Sequence, residues 1–373
     1  MSADDSPVRR VALVAGARPN FMKVAPVERV LSAAADFEPL LVHTGQHYDR
    51  RLSDLFFEQL GLPEPVAHFG VGSGSHATQT GQVMTAFEGW LGENPVDAVL
   101  VVGDVNSTLA CGLVAAKAGV PLVHVEAGLR SFDRDMPEEI NRVVVDALAD
   151  LLLCTEPDGV KNLRAEGVAE ERIRQVGNVM IDSLLTHREK ARTSSIVKDL
   201  DLPGGTHAVV TLHRPSNVDE PESLKTMLGL LGELAEELPV VWPLHPRTAA
   251  RIRELGLDDA LNAPGLKVTE PLAYLDFLQL MATARLVLTD SGGIQEETTV
   301  LGVPCLTVRE NTERPITVEE GTNRLVGVQP DAVREAWKEV LAAPPPSEPP
   351  VIEGWDGHAA ERVVEALREL LDR

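Results

Sequence analysis

The feature that most constrains the fold is a repeated alternation of short apolar runs with segments of helical period. Runs rich in Val and Leu predict two series of strands, the first at 8–15, 39–43, 98–102, 121–125 and 151–154, and the second at 207–212, 239–244, 266–269, 285–289 and 304–308. Helical segments such as 21–34, 107–118, 223–238 and 276–284 fall between them. Continuous apolar strands separated by helices are typical of parallel βαβ units. The sequence therefore predicts an α/β fold with two parallel sheets.

The chain is also long enough for two domains. It has 373 residues and 44% apolar content, whereas a single core rarely grows past about 250–300 residues. A charged and then Gly/Pro-rich stretch at 186–205 suits a boundary. We therefore expect an N-terminal domain over 1–185 and a C-terminal domain over 186–350. The Pro-rich stretch 342–357 cannot be helical, and we expect it to carry a last helix, at 357–373, back onto the first domain.

The amino-acid composition limits the classes of binding partner and the cellular compartment that we expect. The formal net charge is −23, which argues against nucleic acid and anionic membrane surfaces as partners. The three cysteines have no CxxC or Cys/His spacing, so we expect reduced core residues of a cytoplasmic protein. No apolar run reaches the roughly 18–20 residues of a membrane span.

The stretch LVLTDSGGIQEETTVLG, at 286–302, has the form of a strand, a small polar turn and a helix. Ser291, Gly292 and Gly293 occupy the turn, where backbone N–H groups can approach a phosphate. Acidic and amide side chains at 295–297 follow at once. These side chains are unexpected beside a phosphate, and the turn alone leaves open what ligand would need them.

Three cations lie where they could meet such a ligand. Arg314 follows the Gly turn by one βα unit and could supply a fixed positive charge. Arg18 and Lys23 follow the first strand directly. A solvated turn with surface cations explains Arg18 and Lys23 equally well.

Carboxylates cluster after two strands of the first half. Asp104 and Glu126 each follow a strand, and Glu138 lies in the long polar loop after Glu126. Asp104 alone is explained at least as well as a helix cap. Like charges held close raise one another's proton affinity, however, which suits general acid and base work. For Glu139 and Arg142, three residues apart, an ordinary helix salt bridge is the better interpretation.

Two histidines follow strands of the second half. His213, beside Arg214, fits either a hydrogen-bonded structural residue or a functional one. His245, beside Arg247, we interpret as structural. The sequence has no Walker-A lysine pattern, no G-x-G-x-x-G after the first strand, no G-x-S-x-G and no HExxH. These absences argue against P-loop NTPases, standard NAD enzymes, α/β-hydrolases and zincins.

Taken together, the motifs resemble the non-hydrolysing UDP-N-acetylglucosamine 2-epimerase family. The resemblance rests on nine stretches in order: GARPNFMKVAPV, TGQHYD, GDVNSTLA, HVEAGLRS, PEEINR, VGNVMIDSL, TLHRPSNVD, TDSGGIQEE and ERP. It implies a GT-B fold, in which two Rossmann-like doubly wound domains face a central cleft and the C-terminal domain holds most of the nucleotide. It also implies a UDP-sugar substrate, a homodimer, and no metal, NAD or other cofactor.

The resemblance assigns residue roles. Asp104, Glu126, Glu138 and His213 match the residues assigned to catalysis, in which UDP elimination to 2-acetamidoglucal is followed by re-addition. The positions that match nucleotide-sugar contacts are Arg18, Lys23, His213, Leu272, Phe277, Ser291, Gly292, Gly293, Glu297 and Arg314.

Two departures from the family pattern concern ligand contacts. Leu272 stands where some members have Gln. Gln46, His47 and Arg214 fit a second, activating substrate site, but Pro215 replaces a polar residue of that site. The motifs are therefore divided on allostery.

Several alternatives share these motifs. They are a hydrolysing 2-epimerase that releases ManNAc and UDP, a 2-epimerase of a diacetamido-uronate UDP-sugar, a GT-B glycosyltransferase and a non-catalytic sugar-nucleotide sensor. The Asp104 and Glu126 pair is surplus to glycosyl transfer, and the position-by-position match of the carboxylates to the family argues against a sensor.

Overall fold

The chain folds into two compact units. The computed structural model describes residues 8–45, 57–202 and 206–373. The first unit ends at Ser183 and also contains the C-terminal segment from Glu353, whereas the second extends from Leu184 to Ile352. The stretch 186–205, predicted as a boundary, begins as helix, because the helix that starts at Val179 continues to Ala191.

The first unit is built on a parallel sheet with the strand order β3-β2-β1-β4-β5-β6-β7. Its strands are β1 (Arg9–Ala15), β2 (Phe37–His43), β3 (Ala67–His68), β4 (Ala98–Val102), β5 (Leu122–Val125), β6 (Leu151–Cys154) and β7 (Ile173–Gln175). The helices are α1 (Arg18–Ala33), α2 (His76–Glu93), α3 (Asn106–Ala118), α4 (Pro137–Leu148) and α5 (Pro157–Ala165). A further helix, α6 (Val179–Ala191), begins in the first unit and continues into the second.

The second unit contains a parallel sheet with the order β10-β9-β8-β11-β12-β13. Its strands are β8 (Ala208–Thr211), β9 (Val240–Pro243), β10 (Leu266–Thr269), β11 (Leu286–Thr289), β12 (Cys305–Thr307) and β13 (Asn323–Leu325). The helices are α7 (Ile196–Asp199), α8 (Pro215–Val218), α9 (Pro221–Glu237), α10 (Pro246–Glu254), α11 (Tyr274–Ala282), α12 (Gly292–Leu301), α13 (Ile316–Glu319) and α14 (Pro330–Ala342). The predicted α/β class, with two Rossmann-like domains of the GT-B type, is confirmed.

Three strands lie outside the sequence prediction, namely β3, β7 and β13. Each is two or three residues long and lies at the edge of its sheet. An edge strand this short is flanked on one side only, so it carries no continuous apolar run by which it could be recognised.

Burial explains why the longer strands could be predicted from the sequence. All five residues of β4 are buried, because helices cover both faces of the sheet. Cys111, Cys154 and Cys305 are likewise buried free thiols. Burial raises the pKa of the Cys305 thiol to about 11, so these side chains act as small apolar core residues.

The C-terminal helix, α15 (Ala359–Leu371), belongs to the first unit and packs on α1. Its buried face includes Val363 and Leu367. The Asp182 carboxylate accepts hydrogen bonds from the backbone N–H groups of Ala359 (3.2 Å) and Ala360 (2.7 Å) at the start of α15. A residue of α6 thus caps a helix that follows it by almost 180 positions.

Each sheet has one point where the strand order reverses, between β1 and β4 in the first and between β8 and β11 in the second. Ligands of open parallel sheets bind beyond the carboxyl ends of strands at such points. None of the helices in the described part of the chain is long and apolar enough to cross a membrane.

Candidate functional site

Asn20 connects the ends of β1 and β4 by hydrogen bonds at the reversal point of the first sheet. Its Oδ1 accepts hydrogen bonds from the backbone N–H groups of Gly16 and Ala17, at 3.0 Å each, and its Nδ2 donates to the carbonyl of Val102 at 3.2 Å. The turn after β1 is therefore fixed against the end of β4. Sequence reasoning missed Asn20, although a polar amide in the first turn of α1 was visible.

Lys23 and Glu126 form a buried ion pair at this edge. Their side chains are only 8% and 5% exposed, and the Lys23 Nζ contacts Glu126 Oε2. Glu126 has a φ of 73°, a left-handed value that is uncommon outside glycine. A Cβ atom added at Gly103, the residue before Asp104, would lie 3.0 Å from Lys23 Nζ. Of the two interpretations left open for Lys23, the structure excludes the solvated one. The side chain of Arg18 lies outside the described residues.

Asp104 lies two residues before α3, where a helix cap was the alternative interpretation from sequence. The N-cap of α3 is Val105, and the Val105 side chain makes no cap hydrogen bond. The Asp104 carboxylate forms an ion pair with Arg142 of α4. A cation therefore accompanies each of two predicted catalytic carboxylates, Lys23 at Glu126 and Arg142 at Asp104.

The helix salt bridge predicted between Glu139 and Arg142 is present, and it is buried. Glu139 is 2% exposed, and its Oε2 lies 2.7 Å from Arg142 Nη1. The same carboxylate accepts hydrogen bonds from the backbone N–H groups of Ser131 (2.9 Å) and Phe132 (3.1 Å). The pair thus fixes Arg142 against Asp104. Glu138, the third predicted catalytic carboxyl, is half-buried in the first turn of α4.

A buried polar network supports the loops that carry these carboxylates. His124 donates through Nε2 to the carbonyl of Gly103 (2.8 Å), and its Nδ1 lies 2.6 Å from Asp146 Oδ1. The other Asp146 oxygen lies 2.7 Å from Arg130 Nη1. Burial by itself would raise the pKa of Asp146, but His124 and Arg130 hold it below its usual range. The His and Asp of this network were not singled out from sequence, because their partners are distant in the chain.

At the reversal point of the second sheet, His213 faces a buried carboxylate. His213 Nδ1 lies 2.9 Å from Asp290 Oδ1, and the two side chains are 46% and 0% exposed. Asp290 also accepts hydrogen bonds from the backbone N–H of Arg214 (2.9 Å) and from Asn217 Nδ2 (3.0 Å). Arg214 donates through Nε to the carbonyl of Asp290 at 3.0 Å. Sequence reasoning missed Asp290, although it lies directly before the Ser-Gly-Gly turn.

Arg314 is held at the start of α12 by two buried carboxylates. Its Nε lies 2.7 Å from Glu296 Oε1, and its Nη1 lies 2.7 Å from Glu313 Oε1. Glu313 also contacts Arg309, at 2.8 Å. A Cβ atom added at Gly292 would lie 2.5 Å from Arg314 Nη1. A side chain at position 292 would therefore displace the guanidinium from the helix start.

Glu297 is 5% exposed, and the Tyr274 hydroxyl donates to its Oε1 at 3.3 Å. Burial raises the pKa of Glu297 to about 8, and the Tyr274 hydrogen bond opposes this only in part. Before α12, Ser291 N donates to Thr289 Oγ1 at 3.0 Å.

The remaining predicted residues are two apolar side chains, two residues of the possible second site and the structural histidine. Leu272 and Phe277 are half-buried near the start of α11 and within it. Gln46 and His47 lie outside the described residues. The Nδ1 of His245 accepts the backbone N–H of Arg247 at 3.2 Å at the start of α10, which agrees with the structural role expected for His245.

No group of three or more His, Cys, Asp or Glu side chains able to hold a metal ion occurs within residues 8–45, 57–202 and 206–373. Independence from metals and other cofactors stays a prediction from the resemblance.

Comparison with known proteins supplies the decisive observation. The family model described as UDP-N-acetylglucosamine 2-epimerase matches residues 29–368, which is most of the chain. This chain belongs to the UDP-N-acetylglucosamine 2-epimerase family. The resemblance noted from the sequence motifs is thereby confirmed.

Relatives in this family are similar over nearly the full length. A UDP-N-acetylglucosamine 2-epimerase from Methanocaldococcus jannaschii is 41% identical over 329 residues, covering 85% of this chain and 88% of the relative. A crystal structure of the Methanocaldococcus jannaschii UDP-GlcNAc 2-epimerase in complex with UDP-GlcNAc and UDP superposes with a TM-score of 0.90 at 38% identity, covering 96% and 99% of the two chains.

Another similar protein is a UDP-2,3-diacetamido-2,3-dideoxy-D-glucuronate 2-epimerase from Pseudomonas aeruginosa. It is 38% identical over 364 residues, covering 97% of this chain and all of the relative. Epimerases of both sugar types therefore resemble this chain to a similar degree.

Proposed function

We propose that the protein is a non-hydrolysing 2-epimerase that interconverts UDP-GlcNAc and UDP-ManNAc. The observation that carries the proposal is the pair of carboxylates after β4 and β5, each with its own cation. Asp104 contacts Arg142 and Glu126 contacts Lys23. Inversion at C2 needs a proton to leave one face of the sugar and to return on the other, so it needs two differently placed acid/base groups.

The reaction proceeds by elimination and addition. A carboxylate removes the C2 proton, the C1–C2 double bond forms, and the C1–O bond breaks so that UDP departs with the electron pair. The products are UDP and 2-acetamidoglucal. A carboxylic acid then delivers a proton to C2 from the opposite face, and a phosphate oxygen of UDP adds to C1. We assign these proton transfers to Asp104, Glu126 and Glu138.

The second unit binds the nucleotide in this proposal. The N–H groups of Gly292 and Gly293 follow the N-cap residue Ser291 at the positive end of α12, where a diphosphate is favoured. Arg314 and His213 supply positive charge to the departing UDP. Arg18 and Lys23 supply positive charge to the bound sugar nucleotide. Glu297, one turn into α12, accepts the ribose hydroxyls, and Leu272 and Phe277 contact uracil.

Solvent exchange tests the proposed proton transfers. The protein is incubated with UDP-GlcNAc in D2O, and NMR follows the C2 proton and the products. The wild type incorporates deuterium at C2 and forms UDP-ManNAc. Asp104→Asn keeps UDP binding but loses about 100-fold or more of both rates, since a positioned acid/base group contributes about 10²–10⁴. Exchange at the wild-type rate in Asp104→Asn would contradict the role of Asp104.

The same NMR assay separates the alternatives. Free ManNAc together with UDP would identify the hydrolysing variant. The coverage of the Pseudomonas aeruginosa relative favours a diacetamido-uronate sugar as the second candidate substrate. Turnover of that UDP-sugar with no turnover of UDP-GlcNAc would replace the first proposal, and inertness toward both would end the epimerase proposal.

We also propose, as the family resemblance implies, that the active form is a homodimer. Analytical ultracentrifugation in the absence and presence of UDP checks this. A species of the monomer mass, 40.3 kDa, across micromolar concentrations would contradict it.

A further inference from the structure

Asp290 is a buried carboxylate to which the mechanism above assigns no role. It lies at the end of β11, directly before the Ser-Gly-Gly turn, and is 0% exposed. Its oxygens accept from the backbone N–H groups of His213 (3.0 Å) and Arg214 (2.9 Å) and from Asn217 Nδ2 (3.0 Å). Burial by itself would raise the pKa of Asp290, but His213 and the other donors hold it below its usual range. Asp290 is therefore an ionised group that can only accept hydrogen bonds.

The His213 ring is a further neighbour of this carboxylate. Its Nδ1 lies 2.9 Å from Asp290 Oδ1, so Nδ1 must be the donor in this contact. The hydrogen bond made by one ring nitrogen determines the state of the other. Because Nδ1 faces the buried carboxylate, Nε2 lies on the opposite side of a half-exposed ring.

We propose that Asp290 is a positioning residue that keeps the proton on Nδ1 of His213, directs Nε2 toward the diphosphate, and stabilises the cationic ring. The part of this inference that concerns the diphosphate rests on the proposed function. A neutral ring with its proton on Nδ1 presents a lone pair at Nε2, which repels a phosphate oxygen. Nucleotide binding therefore selects the ring with protons on both nitrogens, which donates from Nε2 to the diphosphate as the C1–O bond breaks.

The neighbouring His245 provides an internal reference. Its ring centroid lies 6.4 Å from that of His213, but its Nδ1 accepts a hydrogen bond from the backbone N–H of Arg247. A neutral His245 therefore carries its proton on Nε2. Two histidines close in space are expected to be opposite tautomers because their Nδ1 partners differ, a carboxylate in one case and an N–H donor in the other.

Nitrogen-15 NMR of the histidine side chains tests the inference directly. Two-bond proton–nitrogen spectra distinguish the two neutral tautomers and the cation, and His213→Gln and His245→Gln spectra assign the two rings. In the free wild type, Nδ1 of His213 carries a proton, and with saturating UDP both ring nitrogens carry one. A free His213 with its proton on Nε2, or one that remains singly protonated with UDP bound, would overturn the proposal.

Asp290→Asn supplies the functional measurement. The amide can donate to Nδ1, so the ring changes to the Nε2–H tautomer and loses the stabilisation of its cation. We expect kcat to fall about 100-fold or more, and UDP affinity to fall less than kcat. A variant that stays folded and keeps the Nδ1–H tautomer and the wild-type kcat would contradict the inference.

Asn217→Ala is the matched control, because it removes another donor to the same carboxylate without altering the His213 contact. It should leave His213 as the Nδ1–H tautomer, whereas a merely structural role of Asp290 predicts the same spectrum in both variants. If Asp290→Asn does not fold, the wild-type spectra alone test whether the proton lies on Nδ1 of His213. The spectrum of the free protein does not depend on turnover, so failure of the epimerase proposal is seen separately, in the product assay of the wild type.

Discussion

At the scale of single residues, the notable feature is how strongly burial changes the chemistry of Glu297. This carboxyl lies within α12 and receives only one hydrogen bond that the structure describes, from Tyr274 at 3.3 Å. Its pKa is raised to about 8 by burial. The side chain is therefore mainly neutral in the free protein at pH 7, whereas the residue type alone suggests a charged group.

This raised pKa predicts how stability depends on pH. Between about pH 4.5 and pH 8 the native state retains a proton that the unfolded state has released, so the contribution of Glu297 is fully present below pH 4.5. It is lost as the pH rises through 8, at about 1.4 kcal/mol per unit within the window. Glu297→Gln lacks this loss and should become progressively more stable than the wild type from pH 5 to pH 9.

Thermal or urea unfolding of both proteins at several pH values measures the effect. The difference between them cancels the titration of all other groups. A difference in stability that stays constant from pH 5 to pH 9 would show that Glu297 titrates normally.

At the scale of elements, α12 is fixed to the loop that follows β12. Gln295 Oε1 accepts hydrogen bonds from Thr312 Oγ1 (2.7 Å) and Asn323 Nδ2 (3.0 Å). The Arg314 guanidinium packs so closely on Gly292 that a Cβ atom there would lie 2.5 Å from Nη1. The helix start and its arginine are therefore packed closely together, and a side chain at position 292 would move the arginine away.

Gly292→Ala is expected to displace Arg314 and to weaken UDP binding about 10-fold or more, which corresponds to about 1.4 kcal/mol. Gly229→Ala in α9 is the matched control, since a Cβ atom at Gly229 has no atom within 4 Å. That change should leave UDP affinity unaltered and stabilise the helix by up to about 1 kcal/mol. Isothermal titration calorimetry measures the UDP affinity of each variant. Equal UDP affinities in the two variants would contradict the packing argument.

At the scale of the whole molecule, the first unit is completed by the end of the chain. The buried face of α15 lies on α1, and Asp182 accepts hydrogen bonds from the first two N–H groups of the helix. A close approach of Gly177 to Gly354 accompanies this arrangement, since a Cβ atom at Gly177 would lie 1.9 Å from the Gly354 carbonyl. The last 21 residues thus belong to the core of the first unit.

Deletion of residues 353–373 should destabilise the first unit selectively. The deletion exposes apolar surface of α1 and leaves the buried Asp182 carboxylate without its two N–H donors, and both changes destabilise folded proteins strongly. Hydrogen exchange followed by mass spectrometry should show faster exchange in α1 and β6 and little change in β8 and β11. Equal acceleration in both units, or none in α1, would contradict this assignment of α15.

The sequence by itself determined the fold class and most of the strands. Strands such as β4 and β11 are buried on both faces, so their sequences are continuous apolar runs that can be recognised. The edge strands β3, β7 and β13 are too short to contain such a run, so they were not predicted. The motifs also determined the family, because glycines, carboxylates and histidines at strand ends keep their order along the chain.

Only the tertiary structure decided the partners of those residues. Sequence reasoning placed Asp104, Lys23, His213 and Arg314 at strand ends or loops, but not the groups that hold them. Arg142 meets Asp104 from another βα unit, and Asp290 meets His213 across 77 positions. A side chain's charge state depends on the groups packed around it and on its burial, and these are fixed by the packing of distant segments. The sequence therefore names the chemical groups of the candidate site, and the fold decides which of them are charged, paired or neutral.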